Sequence, residues 1–255
     1  MNSRDFIKLL DDYEINIFNE RTIEQLTGYT YEDWNQCIRS LLKNGMVVLL
    51  EKGKYIRHNF SDEKVIGSFV SNGGALSYWS ALNYYGLTSQ ISNTVHIQSP
   101  HKKRDKAVLG VNYNFIVVEE HHFFGLTKEG VGNNTYYVTD KEKTIIDCLL
   151  KPIYSGEYPD LIHAIGNTTL NESKLIAYCQ KIDSGALNKR LGYFLELSSK
   201  SDYAAFIEYA LRNKTKGYNL LDPQGSKEGK YTTKWDLCVN IDEKAILSMM
   251  NEKLY

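Results

Sequence analysis

The sequence is poor in cysteine, and its few cysteines stand far apart. Four are present, each in an apolar or helical stretch and none in a Cys-x-x-Cys pair: Cys37, Cys148, Cys179 and Cys238. This spacing argues against a disulfide framework and against a thiolate metal site, and it is typical of buried free thiols in a reducing compartment. We therefore expect a cytoplasmic protein with free cysteines.

A long apolar run and an excess of charge of either sign are also missing. The longest clean apolar run, Met46–Leu50, is far shorter than the roughly 20 residues that cross a membrane, and the N-terminus is polar. Lys and Arg together number 30, against 31 Asp and Glu. The sequence therefore predicts a soluble chain without a signal peptide or a membrane partner, and its overall charge indicates no polyanion.

The motifs of several enzyme classes are absent as well. The chain has no glycine-rich phosphate loop, no nucleophile elbow and no kinase motif set. We therefore expect no enzymatic activity, no catalytic residue and no cofactor. With 255 residues, 42% of them apolar, the chain has room for one large or two modest domains.

The first 58 residues predict a winged helix-turn-helix. Residues 22–27 predict a short helix, and a longer one is predicted from Tyr31 to Asn44. Met46–Leu50 and Lys54–Ile56 then predict two strands joined by a tight turn. Helix, turn, helix and hairpin, in this order, are the arrangement by which many proteins place one helix in the DNA major groove.

The longer helix combines an apolar stripe with a polar face. Thr30 is a suitable N-cap, and apolar side chains recur at helical spacing: Trp34, Cys37, Ile38, Leu41 and Leu42. The opposite face and the hairpin carry side chains that suit base edges and phosphates. The predicted DNA-binding residues are Thr30, Tyr31, Asn35, Gln36, Arg39, Lys43, Lys52, Lys54 and Arg57.

The charge of this segment leaves a second interpretation open. Residues 1–58 contain eight Lys and Arg against nine Asp and Glu, and Glu32 and Asp33 lie where the longer helix begins. DNA affinity depends largely on phosphate neutralisation, so a neutral domain binds weakly unless its charges are segregated. We favour DNA binding, and a protein-interaction module is the alternative.

The rest of the chain predicts a larger mixed α/β domain. Strand patterns occur between residues 95 and 138, helical patterns between residues 139 and 212, and strand patterns again between residues 218 and 241. Thr139 and Glu142 predict a capping box at the start of the first of these helices. The whole indicates an α+β protein with an antiparallel or mixed sheet, divided into domains 1–58 and 65–255.

Two polar groups are candidates for metal chemistry. Adjacent residues in a strand point to opposite faces, and no carboxylate or cysteine stands at a usual ligand spacing, so we expect no metal site at His121 and His122. Asp222, Glu228 and Lys230 are of the types found in Mg²⁺-dependent restriction-like nucleases. Glu228 stands in a glycine-rich loop, so we favour a solvated turn and keep a nuclease as the enzymatic alternative.

Two further charged features have structural interpretations. The densest basic cluster is Lys102, Lys103, Arg104 and Lys106, between two predicted strands. We interpret it as a solvated loop, with a contact to nucleic acid or to an acidic protein surface as the alternative. Asp147 lies in a mostly apolar helix without a visible partner, and we interpret it as a structural carboxylate.

Four sets of segments carry a family resemblance. They are Tyr78–Thr88 (YWSALNYYGLT), Thr139–Cys148 (TDKEKTIIDC), Lys189–Tyr193 (KRLGY), and Leu221–Pro223 with Trp235–Leu237. In this order, and together with the predicted winged helix, they are similar to the AbiEi antitoxin family. The resemblance extends over roughly residues 1–240.

The resemblance implies an antitoxin and autoregulatory transcriptional repressor of a type IV toxin–antitoxin system, which acts in abortive infection against phages. The implied partners are operator DNA with an inverted repeat and a nucleotidyltransferase-like toxin. The resemblance also implies that the toxin is countered without a stable complex. This chain departs from a strong operator binder in the near-neutral charge of its first 58 residues.

Overall fold

The computed structural model describes residues 1–90, 92–198 and 201–252. Over these residues the chain has an α+β architecture, as predicted, with eleven α-helices and with twelve strands in three sheets. Within the same ranges no helix is long and apolar enough to cross a membrane.

The N-terminal unit, residues 1–58, consists of three helices and a three-stranded antiparallel sheet. Its elements are α1 (Ser3–Asp12), β1 (Ile17–Asn19), α2 (Glu20–Thr27), α3 (Tyr31–Lys43), β2 (Val47–Glu51) and β3 (Lys54–Arg57). The strand order is β1-β3-β2, so β3 lies in the middle. The two predicted helices and the hairpin are confirmed to within two residues. The sequence pattern does not predict β1, because three residues are too few to show a period.

Aromatic side chains fill the core of the N-terminal unit. The ring of Phe6 stacks on Trp34 and meets Phe18 edge to face, both at a centroid distance of 5.7 Å. Tyr55 of β3 stacks on Phe18 at 5.6 Å. The predicted stripe of α3 faces this core, with four of its residues buried and Leu42 partly buried. Burial of large aromatic rings therefore fixes which side of α3 is left to solvent.

A six-stranded mixed sheet forms the centre of the larger part. Its strands and the helices beside them are α4 (Glu63–Val70), β4 (Ala75–Leu76), α5 (Tyr78–Tyr84), β5 (Thr94–Ser99), β6 (Lys106–Val108), β7 (Val111–Val117), β8 (Leu126–Val131) and β9 (Asn134–Thr139). The strand order is β6-β7-β5-β4-β9-β8. β5 pairs in parallel with β7, as β4 does with β9, and the other pairs are antiparallel. The carboxyl ends of β5 and β7 therefore meet at one edge.

Helices and a small sheet complete the chain. They are α6 (Lys141–Leu150), α7 (Tyr158–Asn167), α8 (Glu172–Ile182), α9 (Gly185–Leu197), α10 (Ala204–Arg212), β10 (Asn219–Leu220), β11 (Lys230–Thr232), β12 (Leu237–Val239) and α11 (Glu243–Asn251). The small sheet has the order β10-β12-β11. The buried faces of α6, α7 and α9 share one apolar core with residues from this sheet.

The start of α6 differs from the predicted capping box. Asp140 is the N-cap, and its Oδ1 accepts a hydrogen bond from the Lys143 N–H at 2.8 Å. Thr139 is still paired within β9, so the helix begins one residue later than the pattern predicts. The Glu142 carboxylate instead accepts the N–H of Asn171, which ties α6 to the start of α8.

The N-terminal unit packs closely against α4 and the central sheet. Ile17, Leu50 and Ile56 belong to the same buried cluster as Val65 of α4 and Ile97 of β5. The sheet of the N-terminal unit is therefore covered on both faces, by its own helices on one side and by the larger part on the other.

Candidate nucleic-acid interface

The face of α3 opposite the core is polar and open to solvent. Tyr31, Gln36, Arg39 and Lys43 are exposed, and Asn35 is half-buried. Because Trp34, Cys37, Ile38 and Leu41 are held in the core, the exposed face cannot rotate inwards. The structure therefore presents together the side chains of α3 that the sequence assigns to base and phosphate contacts.

The first turn of α3 is fixed by a capping box. Asp33 accepts hydrogen bonds from the Thr30 N–H at 2.6 Å and from the Thr30 hydroxyl at 2.8 Å. These two bonds hold the pKa of Asp33 below its usual value. The predicted N-cap role of Thr30 is confirmed, and its hydroxyl proton is already used within the protein.

The hairpin turn between β2 and β3 exposes one of the two predicted lysines. Lys52 is exposed, and Gly53 adopts the left-handed conformation, with φ of 75°, that the tight turn requires. A groove beside this turn is lined by side chains of α2 and α3 as well, among them Glu20, Glu24 and Tyr31. The groove thus places Lys52 with two carboxylates, with the guanidinium of Arg21 and with the first residue of α3.

Lys54 is not available to DNA, which corrects the sequence prediction. Its side chain is buried, and its Nζ donates to the carbonyls of Phe69 and Val70 and to the Asn72 side chain at 2.6–2.9 Å. Burial lowers the pKa of Lys54 even though Glu51 lies 3.0 Å away. The prediction is wrong because β3 is the central strand, and its side chains are covered on both faces.

Arg57 is committed to an ion pair rather than free. Its guanidinium contacts the Asp11 carboxylate at 2.5 Å, and 19% of its side chain is exposed. The pair joins the end of β3 to the end of α1. The predicted phosphate contact at Arg57 would therefore have to compete with Asp11.

The basic cluster that follows β5 has two exposed side chains and two that form ion pairs. Lys102 and Arg104 are exposed. Lys103 and Lys106 instead reach the Glu51 carboxylate at 2.8 and 3.4 Å. Burial alone would raise the pKa of Glu51, but hydrogen bonds from Lys103 and Lys54 lower it to about 2. The predicted solvated loop is thus in part an anchor for the N-terminal unit, and Lys103 and Lys106 are not a free patch.

A cavity of about 540 Å³ lies at the edge where β5 and β7 end. Tyr78, Glu119, His122, Asp147 and Lys151 are among its lining residues. Asp147 has the partner that the sequence did not reveal, since the Lys143 ammonium donates to its Oδ1 from one helical turn away. Burial raises the pKa of Asp147, and the Lys143 charge opposes that rise.

Buried polar atoms without partners surround this ion pair. Gln98 is fully buried, and neither of its amide atoms completes a hydrogen bond, although the amide lies close enough to Asp147 to lower the pKa of that carboxyl. Asp147 Oδ2 also lacks a hydrogen bond. The buried carboxyl of Asp147 is thus held by Lys143 and lies beside the Gln98 amide.

The two adjacent histidines lie on a turn, not on a strand. Glu120–His122 form a single 3-10 turn, and the rings of His121 and His122 are 4.1 Å apart. The two side chains therefore do not point to opposite faces of a strand, and the sequence prediction is wrong on this point. Glu119 also supplies a carboxylate, with its Oε2 at 3.4 Å from His121 Nε2.

The residues of the nuclease-like set lie around the small C-terminal sheet. Asp222 accepts the Gln224 N–H in a turn, Glu228 is exposed in the predicted loop, and Lys230 begins β11. Among the described residues, Asp222 and Glu228 are not part of any cluster of three groups close enough to share a metal ion.

The segments that carry the family resemblance come together in one core. Tyr78, Ile145, Leu191, Leu221 and Trp235 belong to the same buried apolar cluster. Lys189 is fully buried as well, and its Nζ donates to the Gly217 carbonyl and the Asn219 side chain. These segments are thus adjacent in space although they are spread over the sequence.

A known structure shares this architecture over nearly the whole chain. The crystal structure of the RV2827C protein from Mycobacterium tuberculosis matches with a TM-score of 0.63 and 15% sequence identity, over 97% of this chain and 94% of that one. No protein-family model matches the chain, and no curated protein matches it significantly. At this identity the likeness shows the fold alone, and it includes both the N-terminal unit and the larger part.

Proposed function

We propose that the N-terminal unit is a winged helix that binds DNA through α3 and the β2–β3 turn. The observation that carries the proposal is the order α1-β1-α2-α3-β2-β3 around a β1-β3-β2 sheet, which leaves the polar face of α3 exposed. The arrangement has the elements of a helix-turn-helix followed by a wing. The proposed contacts are Tyr31, Asn35, Gln36, Arg39, Lys43 and Lys52. Of the other predicted residues, Lys54 is left out because it is buried, Arg57 because it pairs with Asp11, and Thr30 because its hydroxyl bonds Asp33.

The whole chain, on this proposal, is an antitoxin-type regulator that represses its own promoter. The proposal is supported by the segments that resemble the AbiEi family, which lie together in one apolar core. The proposed partners are operator DNA with an inverted repeat and a nucleotidyltransferase-like toxin that the larger part counters without a stable complex. We propose no enzymatic activity for the chain.

The affinity of one copy for DNA should be modest. The N-terminal unit is near neutral, and Glu20 and Glu24 lie beside Lys52. Few phosphates can be neutralised by such a surface. Two copies that are joined to each other and occupy the two halves of an inverted repeat would restore useful affinity, because the second half-site is then bound at a high effective concentration.

DNA binding is tested with the double variant Arg39→Ala/Lys43→Ala and a fragment from upstream of the gene. Loss of a base-contacting arginine costs about 1–3 kcal/mol, and loss of a phosphate-contacting lysine lowers the salt slope by about one. Fluorescence anisotropy at several salt concentrations should therefore show weaker binding and a shallower slope. The control, Lys216→Ala/Lys227→Ala, removes two exposed lysines elsewhere and should bind as the wild type does.

The outcome separates the two parts of the proposal. Equal binding by wild type and by Arg39→Ala/Lys43→Ala would contradict the role of α3. Growth measured with the neighbouring toxin gene expressed then tests the second part. The same variant should still protect cells, because its larger part is unchanged, while a wild type that gives no protection would contradict the antitoxin role.

A protein-docking module is the second candidate, and the carboxylates beside Lys52 favour it. A partner with a basic surface would contact Glu20 and Glu24, whereas DNA would be repelled by them. Specific capture of a partner that is lost in Glu20→Gln/Glu24→Gln, without any shift of promoter DNA at low salt, would support this candidate.

A further inference from the structure

Three metal-ligating side chains meet on the rim of the cavity at the β5–β7 edge. One ligand atom from each of Glu119, His121 and His122 lies within 4.8 Å of the other two. Ligands at 2.0–2.2 Å from a tetrahedral ion are about 3.4 Å apart. The Glu119 Oε2 to His121 Nε2 distance of 3.4 Å already has this value.

We propose that Glu119, His121 and His122 bind one transition-metal ion of the Zn²⁺ class. Two imidazoles and one carboxylate suit such an ion, whereas Mg²⁺ and Ca²⁺ prefer oxygen ligands alone. The three groups come from four consecutive residues, so the backbone of one turn holds them in place. Three protein ligands leave one coordination position for water or another ligand.

The cavity supplies a second and independent observation. Glu119 and His122 line it together with the buried carboxyl of Asp147. An ion bound at this turn would therefore stand at the mouth of a cavity of about 540 Å³, which has room for water or a small ligand beside the open coordination position.

Side-chain rotation is enough to close the site. The side chains of Glu119 and His121 are 73% and 60% exposed, so neither is held by packing. Competing sites are few among the described residues, because all four cysteines are buried and no second cluster of three such ligands occurs there. Added metal should therefore bind at this turn first.

The test is titration of the tag-free, full-length protein with Zn²⁺ by calorimetry, followed by the absorption spectrum with Co²⁺. We expect one ion per chain and the visible bands of a Co²⁺ ion with low coordination number. His121→Ala and His122→Ala should each weaken binding at least about tenfold. Removal of a residue that only supports a metal ligand already weakens metal binding about tenfold or more, and these two residues are the ligands themselves.

Two control variants make the test specific. Glu120→Gln changes the carboxylate in the same turn that is outside the ligand cluster, and His58→Ala removes an exposed histidine of the N-terminal unit. Both should bind Zn²⁺ as the wild type does. Absence of saturable binding at one ion per chain would overturn the proposal, and so would equal losses in the ligand and the control variants. Thermal melting of the metal-free variants checks that each is folded.

Discussion

At the scale of single residues, Lys143 and Asp147 place a buried ion pair inside α6. The Lys143 side chain is fully buried, and its Nζ also lies 5.0 Å from the centroid of the Phe124 ring. Two charges taken out of water are costly unless each compensates the other. Each charge therefore stabilises the fold by compensating the other buried charge.

Replacement of one member should be far more harmful than replacement of both. Asp147→Asn leaves the Lys143 ammonium buried without its counter-charge, and we expect a loss of about 3–5 kcal/mol in the free energy of unfolding. Urea denaturation followed by circular dichroism measures it. The double variant Lys143→Met/Asp147→Asn should recover part of the loss, since no buried charge remains. A single variant as stable as the wild type would contradict this role of the pair.

The two buried lysines, Lys143 and Lys54, differ in how far the sequence alone predicts their partners. The partner of Asp147 was missed, although Lys143 stands four residues before it in the same helix and this spacing is a local signal of the sequence. The burial of Lys54 has no such local signal, because its acceptors are the carbonyls at the end of α4, 15 and 16 residues further along the chain. Contacts set by distant segments leave no periodic mark in the sequence.

At the scale of elements, α9 approaches the small C-terminal sheet closely because it contains a glycine. A β-carbon added at Gly192 would lie 2.3 Å from two ring atoms of Trp235, which is itself buried. The Trp235 indole N–H donates to Glu196, one helical turn further along α9, at 2.8 Å. The ring is thus held on both sides and has no room to move away.

Gly192→Ala should therefore destabilise the protein, although alanine is the better helix former. Overpacking of a well-filled core costs about 1–3 kcal/mol, which exceeds the gain in helix propensity of roughly 0.5–1 kcal/mol. Urea denaturation gives the difference. Against a Trp235→Phe background the same alanine should cost much less, and an equal cost in both backgrounds would show that the clash with Trp235 is not its cause.

Elements were predictable where one face is buried over several turns. The stripe from Trp34 to Leu41 predicts α3, because each of these side chains returns to the same core. The strand expected around His121 and His122 is instead a 3-10 turn, since four residues carry too little pattern to separate the two. The proposed metal ligands were missed for the same reason.

At the scale of the whole molecule, Glu51 joins the two parts of the chain. Its carboxylate accepts Lys103 and Lys106 from the larger part and Lys54 from its own hairpin. The charges around it hold its pKa at about 2, against 4.5 for an unperturbed glutamate. A carboxyl whose pKa is depressed by folding stabilises the folded state above its unfolded pKa.

The contribution of Glu51 should disappear in acid. Relative to Glu51→Gln, the wild type should be more stable at neutral pH, and the difference should shrink as the pH falls from about 4.5 towards about 2. Urea denaturation at a series of pH values measures both proteins. Asp12→Asn, which removes an exposed carboxylate of α1, is the control for the loss of one negative charge. A difference that stays constant with pH would contradict the role of Glu51.

The covered sheet of the N-terminal unit has a consequence for its use outside this protein. Ile17, Leu50 and Ile56 bury their side chains against the larger part, and Lys54 leaves its charge among carbonyls there. A fragment cut after residue 58 would expose this apolar face to water and would lose the carbonyl acceptors of Lys54. The unit is therefore not portable: grafting it onto another protein would require that face to be redesigned first.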